Sequence, residues 1–195
     1  MSGYRRVSGL NQAVRNVNDG LSMVQIMEGT YDEVTTILQR MRDMAVQAAN
    51  GSLSATEQGY LNTEHTTLVS AINSAIDQAT FSGIDLADTA GASAVSVSIQ
   101  AGANTGDAVT VALSTATTSG ATALGLSLAA FATLATSSIG VIDLAITAVA
   151  AQRATLGANQ AQLESTVRNL SNVAENTAAA AGRIMDTDYA AETAN

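Results

Sequence analysis

Cysteine, proline, tryptophan and lysine are all missing from these 195 residues, and aromatic side chains make up only 3%. Without a thiol there is no disulfide framework and no Cys-ligated metal, and the redox compartment cannot be read from cysteines. Without proline, nothing forces a helix to stop. All eight basic residues are arginine, against 17 acids, for a net charge of -9. A chain this acidic repels phosphate backbones, which argues against nucleic-acid binding. With 47% hydrophobic residues it is not a disordered acidic tail either. The start, MSGYRRVSGL, has two arginines but no apolar run behind them, so it does not read as a signal peptide. Leu124 to Ile142 is uncharged and long enough to be a membrane candidate. Its five hydroxyl side chains (Ser127, Thr133, Thr136, Ser137, Ser138) and its lack of basic or aromatic anchors argue against insertion.

What is present is apolar periodicity. Steps of three and four from Ile139 meet Ile142, Ile146, Val149, Arg153, Leu156, Gln160, Leu163, Val167, Leu170, Ala174, Thr177, Ala181 and Ile184. Only Arg153, Gln160 and Thr177 break this stripe, and so long a seam near the 3.5 period is a coiled-coil signature. Starting near Ala129, such a helix has roughly 55 residues and a length of about 80 Å. A partner stripe runs through Val7, Leu10, Val14, Val17, Leu21, Val24, Met27, Tyr31, Val34, Leu38, Met41, Ala45 and Ala48. Gly20 interrupts it at a cost of about 1 kcal/mol relative to Ala. Asn50-Gly51 then supplies a stop, and Ser54 with Glu57 has the form of a capping box. A second helix is expected from Ala55 to about Gln78, with Leu61, Leu68, Ile72, Ile76 and Ala79 facing inward and Phe81-Ser82-Gly83 ending it.

The middle third differs. From Thr89 to Ile142 the only charge is Asp107. Val95, Val97 and Ile99 alternate with small polar residues, as do Val109, Val111 and Leu113, which is the period of a half-buried strand. Ala103 to Asp107 forms the turn between them. The expected fold is mainly α: an elongated antiparallel bundle of two long helices and one shorter one, with a β-hairpin near one end. It is expected as one rod-shaped domain over 4–195, made of an N-terminal part 4–80, a hairpin-containing middle 81–128 and a C-terminal helix 129–185. No large outer domain fits between hairpin and final helix.

Three stretches carry a family resemblance: GLNQAVRNVNDGLSMVQIMEGTYDEV (Gly9 to Val34), ILQRMRDMAVQAANG (Ile37 to Gly51) and RIMDTDYAAETAN (Arg183 to Asn195). TFSGIDLAD (Thr80 to Asp88) and IQAGANTGDAVTV (Ile99 to Val111) add to them in the same order. Together they resemble bacterial flagellin. The resemblance implies a structural subunit of the flagellar filament, exported through the flagellum's own secretion channel and assembled outside the cell by side-by-side helical packing. It also implies further terminal segments that form the inner core of the filament. Neither is in this sequence, so the chain reads as lacking both terminal assembly segments and is expected to be monomeric alone. Two alternatives share the scaffold: the hook-filament junction protein, and a cell-surface adhesin that binds polysaccharide, for which Tyr60 is the exposed aromatic candidate.

No constellation of residues supports an enzyme, and no cofactor or metal is expected. His65 is the single histidine, without a second His or any Cys to share a metal, so it reads as a structural or interface residue. Asp186, Asp188 and Tyr189 read as a helix end, and Asp85 and Asp88 as turn chemistry. Arg40, Arg42 and Asp43 read as a solvent-facing stripe with local ion pairs. The resemblance sharpens part of this stripe: Arg40, Met44 and Glu64 match positions where flagellins meet neighbouring subunits and, in some members, the vertebrate toll-like innate immune receptor. An antiparallel helix turning at Asn50 brings Glu64 back beside the early forties. These three residues are the expected interaction site.

Overall fold

The computed structural model describes residues 2–50, 52–88, 93–115, 120–124 and 136–192. Three helices, α1 (Ser2–Ala48), α2 (Ala55–Asp77) and α3 (Thr136–Glu192), make it mainly helical, at 72%. Two small antiparallel strand pairs separate α2 from α3 along the chain: β1 (Thr80–Phe81) with β2 (Ile84–Asp85), and β3 (Val95–Gln100) with β4 (Ala108–Ser114). The expected helix start near Ala129 and most of the run Leu124 to Ile142 lie outside the described residues.

Local chemistry explains the boundaries. The Ser54 side chain accepts from the Glu57 amide at 3.3 Å while the Ser54 amide donates to the Glu57 carboxylate at 2.8 Å, so α2 begins on a complete capping box. The Ser54 hydroxyl also donates to that carboxylate, and these bonds hold the Glu57 carboxyl below its ordinary range. After α2 the sequence Phe81-Ser82-Gly83 does more than end a helix. Ser82 (φ 51°) and Gly83 (φ 79°) both take left-handed conformations, the requirement of a two-residue hairpin turn, and Thr80 pairs with Asp85 across it.

The chain groups into two compact units, to both of which α1 and α3 contribute. The first holds residues 1–22, 97–111 and 159–195. Leu10, Ala13 and Val17 of α1, Ile99 and Val111 of the hairpin, and Leu163, Leu170 and Ala174 of α3 are buried there. Gly20 is where they close up: a Cβ on it would collide with the Ile99 side chain and sit 3.7 Å from Leu163 Cδ1. The interrupting glycine thus lets the hairpin press against α1, and Asn16 Nδ2 donates to the Gln100 carbonyl at 3.2 Å beside it.

The second unit holds residues 23–96 and 112–158. Val24, Met27, Tyr31, Val34, Leu38 and Met41 of α1 are fully buried there. Each such aliphatic side chain contributes roughly 1.5–3 kcal/mol by leaving water. Two ion pairs set the direction of α3 against α1: Asp32 meets Arg153 at 3.0 Å and Arg42 meets Asp143 at 2.7 Å, so advancing ten residues on one means retreating ten on the other. The helices are antiparallel in this unit. Its α3 seam departs from the expected one, because Ala145 and Gln152 are buried where Ile146 and Arg153 were expected. Arg153 instead carries its charge outward to Asp32, which avoids the cost of an unpaired buried guanidinium.

Candidate functional site

The end of α1 buries two adjacent columns, Ile37, Met41, Met44 and Ala48 beside Leu38 and Ala45. Two partner helices make this wide face necessary. Arg40 Nε donates to Glu64 of α2 at 2.9 Å, and Arg42 Nε donates to Asp143 of α3 at 2.7 Å. Arg42 is further held in its charged form by the hydrogen bond and attraction of Asp143. The local pairing expected among Arg40, Arg42 and Asp43 is therefore replaced by contacts to two other helices.

Of the three expected interaction residues, the structure brings Arg40 and Glu64 into one ion pair on the surface, with side chains 64% and 40% exposed. Met44 lies elsewhere in character: at 5% exposure its side chain belongs to the buried face of α1. An exposed pair of this kind adds roughly 0.2–1 kcal/mol, so its worth to the fold is small. Tyr60 is 72% exposed, as expected. His65 is buried, at 1% exposure. The side chains of Asp186, Asp188 and Tyr189 lie outside the described ones. Among the described residues no group of three or more His, Cys, Asp or Glu is placed to hold a metal.

The sequence reading missed two features of the surface and its support. Gln152 is a buried amide that donates to the Ala112 and Leu113 carbonyls of β4, at 3.3 and 3.1 Å, and so fastens the base of the hairpin to α3. On α3 itself, Leu144 is 71% and Val173 43% exposed, and Gly140 and Gly157 have open space where a Cβ would stand. Ser138–Arg183 is long and apolar enough to cross a membrane by length and composition, yet only 28% of its most apolar window is buried. Its seam of Ile142, Ala145, Val149, Leu156 and Leu163 faces a protein core.

Long helices packed along apolar seams, with a hairpin fastened to α3 by Gln152, define a mainly helical packing fold. Residues 4–92 match the family profile of the bacterial flagellin N-terminal helical region and residues 139–195 that of the C-terminal helical region. The flagellin of Halalkalibacterium halodurans is 40% identical over 191 residues, spanning 96% of this chain and 68% of that protein. The flagellar filament 31.3 kDa core protein of Treponema maltophilum is 36% identical over 197 residues, or 95% of this chain and 69% of that protein. The crystal structure of Bacillus cereus flagellin shares the fold with a TM-score of 0.65 and 28% identity, covering 86% of this chain and 94% of that one. The chain belongs to the bacterial flagellin family, structural proteins that form the extracellular flagellar filament.

Proposed function

We infer that this chain works as a structural subunit of the bacterial flagellar filament, exported from the cell and packed side by side with copies of itself along the outer faces of its helices. The observation that carries the reading is the outward face of α3, where Leu144 is 71% exposed, Val173 is 43% exposed and Gly140, one turn before Leu144, faces open space. Gly140 costs the helix about 1 kcal/mol relative to Ala, and nothing described inside this chain uses the room it leaves. A neighbouring helix that approaches closely uses it. Neither the hook-filament junction protein nor the polysaccharide-binding adhesin is favoured by the comparisons.

The test is Leu144→Arg in cells that build the flagellum. We expect the chain to keep its helicity by circular dichroism while filaments become few and short under the electron microscope. Normal filaments would remove this face from the interface.

The Arg40–Glu64 pair supports a second use of the surface, as the polar part of a subunit contact or of recognition by the toll-like receptor, with Met44 one turn further along α1. Arg40→Asp is expected to weaken whichever contact uses the pair; receptor binding and filament assembly that both survive the change would withdraw the assignment.

A further inference from the structure

Charge is distributed unevenly along α1. Arg5, Ser8, Gln12, Arg15 and Asp19 follow one another at steps of three and four, so they share one face of the helix, and all five are exposed. Arg15 has Asp19 one turn ahead, yet its Nε turns back to donate to Gln12 Oε1 at 3.1 Å. A neutral amide leaves the guanidinium charge uncompensated. Neither Arg5 nor Arg15 forms an ion pair among the described residues, whereas Arg40, Arg42 and Arg153 all do.

Further along, no basic residue lies between Arg15 and Arg40, and the acids Glu28, Asp32 and Glu33 follow Asp19. Glu28 is half-buried and Glu33 exposed, and neither forms an ion pair among the described residues. Asp32 is held by Arg153 but keeps its side chain 69% exposed. Gly29 stands among them, itself exposed, with nothing within 4 Å of the position a Cβ would take. A glycine inside a helix costs stability relative to alanine. Here it leaves a notch beside the carboxylates, over which the apolar stem of an arginine can lie while its guanidinium reaches them.

We propose that a second copy of this chain fills the notch, its Arg5–Arg15 face lying against the Glu28–Glu33 face of the first. The inference rests on the reading of the chain as a filament subunit and names two surfaces that meet. A basic face without an acid partner and an acidic face with a single base are complementary, and a copy supplies both at once. The two faces are different patches, so a copy bound through one leaves the other open to the next. Such a contact adds copies in succession, and where the rotation does not close it yields an open filament. Guanidinium–carboxylate pairs at the notch are charge-assisted and directional, so they fix the register between copies as well as attracting them.

The experiment uses single and paired charge changes in cells that build the flagellum. Both side chains are exposed, so neither change should disturb the fold. Arg15→Glu and Glu33→Arg are each expected to leave few and short filaments under the electron microscope, with the unassembled chain still helical by circular dichroism. Glu33→Gln, which removes the charge without reversing it, is expected to have a smaller effect of the same sign. Arg15→Glu and Glu33→Arg in one chain restore opposite charges across the contact, and long filaments are expected to return. Normal filaments from both single variants, or folded chains in which the paired change recovers nothing, overturn the proposal. Normal filaments from Arg15→Glu beside defective ones from Glu33→Arg point to a basic partner other than a copy and likewise overturn it. If a reversal disturbs folding, the neutral changes Arg15→Gln and Glu33→Gln decide by whether filaments shorten. A native chain missing from the filaments defeats the subunit reading itself, whereas native filaments with indifferent charge variants defeat this contact alone.

Discussion

α1 and α3 are both long helices, and they spend their apolar side chains differently. In α1 the large ones turn inward: Val17, Val24, Met27, Tyr31, Val34, Leu38 and Met41 are fully buried, and Val46 at 50% is its one strongly exposed large hydrophobic among the described residues. In α3 the inward seam is partly alanine and glutamine, Ala145 and Gln152, while Leu144 and Val173 look outward. The difference separates two jobs. α1 supplies more buried apolar side chains than any other element, and α3 retains apolar surface that the single chain does not use.

The largest expected effect probes this division. Leu38→Ala removes a fully buried side chain and is expected to cost roughly 2–5 kcal/mol in chemical denaturation. Leu144→Ala, exposed at 71%, is expected to change stability by no more than about 0.5 kcal/mol. Equal costs would erase the contrast between the helices. A smaller effect sharpens it. Gln152→Leu keeps much of the volume but leaves the Ala112 and Leu113 carbonyls without their amide donor, at an expected cost of about 1–3 kcal/mol. Hydrogen exchange in β4 should rise with it, and unchanged exchange there would mean that the amide does not fasten the hairpin.

Much of this architecture is legible in the residues. The α1 stripe is legible from Val24 to Met41 because Val, Leu and Met recur at steps of three and four without a charged residue among them, whereas earlier on the helix Ala13 and Gly20 are buried where Val14 and Leu21 were expected. The Ser54–Glu57 box and the alternation around Val95–Ile99 and Val109–Leu113 are equally local signals. Where the reading slipped, the deciding contact came from a distant part of the chain. On α3 the choice between Ile146 and Ala145, or Arg153 and Gln152, depends on which neighbour stands opposite. There β4 offers carbonyls to Gln152, and Asp32 offers a charge to Arg153.

The candidate surface shows the same limit. The return of Glu64 to Arg40 follows from the turn at Asn50, a matter of chain length. The burial of Met44 does not, because it depends on the end of α1 receiving α2 on one side and α3 on the other. The short β1–β2 hairpin hid for another reason: strands of two residues have no periodicity, and Ser82-Gly83 signals a stop and a turn equally well.

Because the chain contains no cysteine, a single thiol placed at Leu144 reports on that position alone. Leu144→Cys should react readily with a soluble maleimide in the dissociated subunit and become protected once the subunit is incorporated into filaments. Equal labelling before and after assembly would contradict the assignment of the outward face of α3 to subunit packing.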